Sequence, residues 1–164
     1  MPTTDSPPAN SPANSPVGSR SERDVVALTQ LLGRTPRAGF EVVVRSANGD
    51  PAVIRNAPLL DDGTPMPTRY WLVDPELSLR VARLESAGGV RAAEAAVEPD
   101  ALGSAHARYA RERDAALAPD HTGPRPSGGV GGTARGVKCL HAHLAYHLAG
   151  GDDPVGRWVE ENLQ

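Results

Sequence analysis

The chain has 164 residues, of which 39% are hydrophobic and 4% aromatic, and its formal net charge is −3. This length provides one domain, or one domain with a tail. The apolar fraction lies below the ~45–50% of an average globular chain, which predicts a small core built from Ala, Val and Leu. No apolar run approaches ~18 residues, so membrane spans are excluded, and a single cysteine excludes a disulfide scaffold. The near-neutral, slightly acidic charge argues against general nucleic-acid binding.

Residues 1–20 are rich in proline and serine and contain a doubled Ala-Asn-Ser-Pro unit. Such a segment buries too little apolar surface to offset its ordering entropy, so we expect a disordered tail followed by one domain over residues 21–164. A Pro-rich tail of this kind can dock on a protein partner. The N-terminus lacks the basic start and apolar segment of a secretory signal, and we therefore expect a cytoplasmic protein with no membrane contact.

Three strands are predicted, at residues 40–45, 52–56 and 70–73. Asn48-Gly49 suits a two-residue type I′ turn, which joins the first two strands as a hairpin and pairs Val44 with Val53 and Val43 with Ile54. In the third strand we expect Trp71 to be the deeply buried residue and Tyr70 to face the other way, because the tyrosine hydroxyl needs a partner.

Helices are predicted over residues 22–32, from 75 to the Gly88-Gly89 pair, and over 91–97, 100–117, 137–149 and 154–162. Ser21, Asp74, Asp100 and Asp153 precede four of them as candidate caps, and Pro75 and Pro154 suit first helical positions. Consecutive strands indicate the α+β class rather than a doubly wound sheet. We expect a small three-stranded sheet, a hairpin plus one strand, packed with about five helices.

Residues 119–136 form a long loop rich in glycine and proline, followed by the segment that concentrates the reactive side chains. Loops of this length are usually functional or disordered. Backbone N–H groups of Gly131 and Gly132, with the charges of Arg135 and Lys138, predict an anion site at the start of the following helix. The loop is not a Walker A motif, because Val137 follows the last glycine.

Cys139, His143 and His147 suggest a zinc site on that helix. At 100° per residue they fall at about 0°, 40° and 80°, on one face, whereas His141 falls on the far shoulder of the leucine stripe. Thiolate and imidazole are zinc ligands, and a fourth ligand would be His106 or His121. The plainer alternative is a solvent-facing, histidine-rich helix with a half-buried thiol. If the segment is not a regular helix, Cys139 and His141 would instead ligate directly as a Cys-x-His pair.

Cys139 is also a candidate catalytic nucleophile. A position in the first turn of a helix lowers the pKa of a thiol, and a nearby histidine can act as the base. The sequence assigns no acid that would orient that histidine.

Several motifs together resemble the domain of unknown function 501 family. They are Pro-Met-Pro-Thr-Arg-Tyr-Trp-Leu at 65–72, Arg-Leu-Glu at 83–85, the glycine-rich GGVGG, Gly-Val-Lys-Cys-Leu-His at 136–141, and Asp-Pro-Val-Gly at 153–156. The resemblance covers about residues 22–160 and implies an actinobacterial protein without an assigned activity. Genes of this family often lie near those of a septum-formation initiator and an exopolyphosphatase, which implies a link to cell division or phosphate metabolism.

We therefore expect a small binding or catalytic domain with a metal or anion site at the glycine-rich loop and the Cys/His helix, zinc being the candidate metal. One alternative is a non-catalytic interaction protein linked to cell division. The other is a hydrolase that acts on a phosphorylated small molecule.

Overall fold

The structure is a computed structural model that describes residues 21–163. Within that range it contains six α-helices, three strands and one 3₁₀ turn, which confirms the α+β class. The predicted disordered tail lies outside the described residues. In chain order the elements are α1 (Glu22–Leu32), β1 (Ala38–Arg45), β2 (Pro51–Leu60), β3 (Tyr70–Leu72), α2 (Pro75–Ser86), α3 (Gly89–Ala96), α4 (Pro99–Ala115), the 3₁₀ turn (Val130–Gly132), α5 (Leu140–Leu148) and α6 (Pro154–Asn162).

Helix ends follow the local signals where a cap and a proline coincide. The Asp74 carboxylate accepts a hydrogen bond from the Leu77 N–H at 2.8 Å, and Pro75 occupies the first turn of α2. Asp153 caps α6 in the same way. The start of α4 is one position earlier than predicted: Glu98 occupies the N-cap position, so Asp100 lies in the first turn and is not the cap.

The sheet is antiparallel, in the order β1-β2-β3. Val44 pairs with Val53 as predicted, but Ile54 pairs with Val42, because a register shift between Val42 and Val44 leaves Val43 as an extra residue.

The predicted type I′ turn is wrong. Gly49 has a φ of +88°, but every positive φ among residues 21–163 belongs to a glycine, so Asn48 lacks the positive φ that this turn type requires. A turn closed by the Gly49 N–H on the Ser46 carbonyl, at 2.9 Å, joins the strands instead.

The two faces of the sheet carry different clusters. Ile54 packs with Leu28 of α1 on one face, whereas Val53 packs on the other face with residues of α4 and α5. This alternation follows the two-residue period of a strand. A third cluster, built around Leu140 and Leu144 of α5, joins that helix to α2, α3, α4 and α6. No helix among residues 21–163 has the length and apolar character needed to cross a membrane.

The predicted burial of the third strand is reversed. Tyr70 is 5% exposed and lies in the cluster under α4 and α5, whereas Trp71 is only partly buried. Burial of the tyrosine is possible because its hydroxyl donates a hydrogen bond to the Glu112 carboxylate. The need of this hydroxyl for a partner, which was the reason to predict an exposed Tyr70, is therefore met inside the protein.

Candidate functional site

Helix α5 begins at Leu140, three residues later than predicted, and this shift determines the geometry of the reactive segment. Cys139 is the N-cap residue, with extended backbone angles (φ −150°, ψ 119°). The angular count that placed Cys139 opposite His141 therefore does not apply, because it assumes helical geometry at both positions. Instead, the Cys139 Sγ lies 3.9 Å from the Nδ1 of His141.

Glu85, near the end of α2, caps the N-terminus of α5. Its Oε1 accepts a hydrogen bond from the Leu140 N–H at 2.8 Å, and the Cys139 side chain makes no cap bond. First-turn N–H groups have no partner within their own helix, so a carboxylate from another element can satisfy them. This contact brings an acidic side chain to the Cys-His pair.

The His141 ring is held from both sides. Its Nε2 lies 3.0 Å from the Ser78 carbonyl oxygen, and its Nδ1 lies 3.3 Å from Oε1 of Glu85. Since a carbonyl only accepts hydrogen bonds, the Nε2 atom carries a proton. The Nδ1 atom is therefore the one that faces the thiol and the carboxylate, where it can accept a proton or ligate a metal ion.

Glu85, Cys139 and His141 form one compact group. One ligand atom from each, a carboxylate oxygen, the thiol sulfur and a ring nitrogen, lies within 4.8 Å of the others, and all three residues are partly exposed. Cys139 and His141 also line a cavity of about 240 Å³ whose other walls include Trp71, Leu72 and Gly131. Two of the three residues, Cys139 and His141, thus face a space that a small molecule can enter.

The ionisation of the pair is mutually reinforcing. Burial raises the pKa of the Cys139 thiol, but hydrogen bonds from His141 and from the Ala142 backbone outweigh it and lower the pKa below its ordinary value. The hydrogen bond to Cys139 raises the pKa of His141 to about 9, helped by the Ser78 carbonyl and Glu85 and opposed by burial. These directions favour a thiolate beside an imidazolium.

The structure does not bring His143 and His147 to Cys139. His143 is fully buried and its Nδ1 lies 2.7 Å from Oδ2 of Asp153, while the His147 Nε2 lies 2.8 Å from Oε2 of Glu160. Both partners belong to the α6 region, so this face of α5 is directed at α6. Among residues 21–163, three potential metal ligands lie together: Glu85, Cys139 and His141. His143 and His147 do not belong to this group.

The two histidines considered as a fourth ligand have structural contacts elsewhere. The His106 Nδ1 accepts a hydrogen bond from the Val130 N–H at 3.1 Å, and its Nε2 donates to the Gly136 carbonyl at 2.9 Å. His121 contacts the Pro124 carbonyl at 3.0 Å. His106 thus ties α4 to the glycine-rich loop.

The glycine-rich loop uses several of its amides internally. Gly129 donates to the Thr133 carbonyl at 2.8 Å, and Gly132 donates to the Gly129 carbonyl at 3.0 Å. Arg135 and Lys138 are exposed. The anion site at Gly131, Gly132, Arg135 and Lys138 stays a prediction, and the internal bonds leave fewer donors for it than the sequence suggested.

Sequence reasoning missed Glu85 and Ser78. The Glu85 carboxylate lies in the Arg-Leu-Glu motif that supported the family resemblance, which was the one available signal, although no role was assigned to it there. The Ser78 contact is made by a backbone carbonyl, which any residue type would supply. A contact of this kind leaves no mark in the sequence.

Residues 42–161 match the family described as Protein of unknown function (DUF501), and the chain belongs to that family. Neither the comparison with curated proteins nor the comparison with solved structures found a match. Membership therefore brings no assigned activity, and the function has to be inferred from the geometry of the site.

The buried His106 predicts a loss of stability in acid. Burial lowers its pKa below 6.5, with a contribution from His143 in the same direction, while the bond to the Gly136 carbonyl and the charge of Asp153 oppose this shift. The His106 side chain therefore binds a proton more readily in the unfolded chain than in the folded chain. As the pH falls from 6.5 towards the lower pKa that His106 has in the folded chain, the free energy of unfolding decreases.

We therefore expect the urea midpoint to fall between about pH 7.5 and pH 5, and His106→Gln to flatten that decline. Glutamine retains an acceptor and a donor but does not titrate. An equally steep decline in the variant would assign the acid sensitivity to other groups.

Proposed function

We propose that this protein is a metal-binding domain that holds a zinc ion between Glu85, Cys139 and His141. The observation that carries the proposal is the orientation of His141, whose Nε2–H is held by the Ser78 carbonyl at 3.0 Å. Zinc-ligating histidines characteristically donate their second ring N–H to a carbonyl or carboxylate, which fixes the ring and leaves the other nitrogen for the metal.

The separations of the ligand atoms suit a tetrahedral ion. Zinc bonds of about 2.0–2.3 Å give ligand-to-ligand distances of roughly 3.3–3.6 Å at tetrahedral angles. The Nδ1 of His141 is 3.3 Å from the Glu85 oxygen and 3.9 Å from the Cys139 sulfur. The two distances from Nδ1 thus lie within a few tenths of an ångström of these values, and the Glu85 oxygen and the Cys139 sulfur lie within 4.8 Å of each other. The Nδ1 proton would leave as the metal bound.

Three protein ligands leave one zinc position for water or a substrate. Structural zinc sites usually have four protein ligands, whereas catalytic sites have three and an open position. An ion held here would border the cavity lined by Trp71, Leu72 and Gly131. Binding and polarising a small molecule in that cavity, or activating a water against it, is the chemistry that this arrangement favours.

A second candidate is a cysteine nucleophile without a metal. The 3.9 Å approach of the Cys139 sulfur to His141 supports this alternative, with His141 as the base and Glu85 as the acid that the sequence did not provide. A hydrolase acting on a phosphorylated small molecule is less supported, because Gly129 and Gly132 use their N–H groups within the loop. An interaction protein linked to cell division remains the non-catalytic alternative.

The zinc proposal predicts that purified protein contains one equivalent of zinc and that His141→Ala loses it. His147→Ala is the matched control, since it removes an imidazole from the same helix at a position paired with Glu160. Elemental analysis after gel filtration gives the content, and cobalt substitution gives a thiolate charge-transfer band that Cys139→Ser removes. Retention of zinc by His141→Ala, or a wild-type protein that binds none when titrated, contradicts the proposal.

Thiol alkylation distinguishes the two candidates, because Cys139 is the only cysteine in the chain. A zinc ligand is expected to be protected from iodoacetamide until a chelator is added. A nucleophile without a metal is expected to react at the same rate with or without the chelator, and more slowly in His141→Ala.

A further inference from the structure

A second cavity, of about 250 Å³, lies between α1 and the sheet. Its floor is apolar: Leu28 is 0%, Ile54 1% and Ala38 4% exposed, and each contributes to the lining. Trp71 and Met66 form part of the wall. The cavity therefore offers an interior that is mostly apolar, with an aromatic side and one buried polar residue, Asn56.

Two arginines lie at the opening of this cavity. Arg34 and Arg37 are both lining residues and both exposed. The Arg34 guanidinium carbon lies 6.0 Å from the centroid of the Trp71 ring, so its charge is held beside the aromatic wall. Arg37 pairs with Asp62 at 3.5 Å, but the side chains are 66% and 56% exposed, so the pair is weak and its guanidinium remains accessible.

We propose that this cavity binds a small amphiphilic carboxylate, with its apolar part on Leu28, Ile54 and Trp71 and its carboxylate against Arg34 and Arg37. The apolar floor recognises a hydrocarbon chain or ring by removing it from water. The guanidinium groups recognise the carboxylate by charge-assisted hydrogen bonds.

The size of the cavity sets the length of the ligand. A volume of 250 Å³ corresponds to roughly eight water molecules at ~30 Å³ each. That space takes a short acyl chain or a single aromatic ring and is too small for a helix or strand of a partner protein. The volume of the cavity therefore favours a free small molecule as its ligand.

The test uses octanoate with the full-length protein and follows the two indole N–H signals by NMR. Trp71 lines the cavity, whereas Trp158 packs on the separate cluster around α6 and provides an internal control. Trp158→Phe assigns the two signals. We expect saturable movement of the Trp71 signal alone. Octanoate should bind about fivefold more tightly than octanol, and octylammonium should bind more weakly than octanol.

Replacing both arginines, as Arg34→Gln with Arg37→Gln, should remove the preference for octanoate over octanol without changing octanol binding. Arg91→Gln, at an exposed position on α3, is the matched control and should leave both affinities unchanged. Absence of saturable movement of Trp71, equal binding of octanoate and octylammonium, or an unaltered preference in the double variant would each overturn the proposal.

Discussion

Replacement of Arg113 by alanine is expected to lower the free energy of unfolding by about 3–4 kcal/mol. The side chain is 1% exposed, and its guanidinium donates to the carbonyls of Gly128, Ser127, Pro67 and Pro126 at 2.8, 3.2, 3.3 and 3.3 Å. A buried carbonyl without a donor costs about 1–3 kcal/mol. This substitution removes the donor of the buried Pro126 carbonyl and of three partly buried carbonyls. Urea denaturation measures the change.

The same helix provides a control for Arg113. Arg111 is exposed, so Arg111→Ala should change stability by no more than about 0.5 kcal/mol. Arg113→Lys should recover only part of the loss, because an ammonium group cannot reproduce the planar fork of donors. Equal effects of Arg113→Ala and Arg111→Ala would mean that the guanidinium does not hold the loop in place.

Asp153→Ala should cost about 3–5 kcal/mol, since a fully buried carboxylate joins two helices. Oδ1 accepts from the N–H groups of Val155 and Gly156 at 2.9 and 3.0 Å, and Oδ2 lies 2.7 Å from the His143 Nδ1. The substitution removes the cap of α6 and leaves the fully buried His143 ring without its partner.

The adjacent Asp152 is the matched control. Its side chain is 70% exposed, and its ion pairs with Arg108 and Arg157 lie at the surface, so Asp152→Ala should cost less than about 1 kcal/mol. Asp153→Asn should fall between the two, because an amide oxygen can still cap α6 but carries no charge. The melting temperature and the urea midpoint give the order. A small effect of Asp153→Ala would mean that the buried pair of Asp153 and His143 contributes little to stability.

The fold could be predicted where a signal is local. The Asp-Pro pairs at 74–75 and 153–154 each place a side-chain acceptor and a fixed φ at the start of a helix, and both helices begin there. The burial of the third strand depended on a distant residue: the Tyr70 hydroxyl is satisfied by Glu112 of α4, which a local pattern does not show. The hairpin register failed at Val43 for a similar reason, because a bulge depends on the pairing of two strands.

The candidate site could be located from the sequence but not assembled. Cys139 and the histidines after it define the segment in which the proposed site lies, and the Cys-x-His alternative corresponds to the pair that the structure brings together. The angular projection failed because the helix starts at Leu140, where Glu85 from α2 supplies the cap. The same projection placed His143 beside Cys139, whereas the structure pairs the His143 ring with Asp153, at the start of α6.

Leu32 and Trp71 belong to the walls of both cavities, the one beside Cys139 and the one below Arg34. A ligand that fixes the Trp71 ring from one side changes the ordering cost for a ligand on the other side. Thermodynamic linkage would make such an effect reciprocal for the two proposed ligands: the factor by which zinc changed carboxylate affinity would equal the factor by which the carboxylate changed zinc affinity. One partly buried tryptophan on a three-residue strand is thus the contact through which the two proposed sites would be coupled.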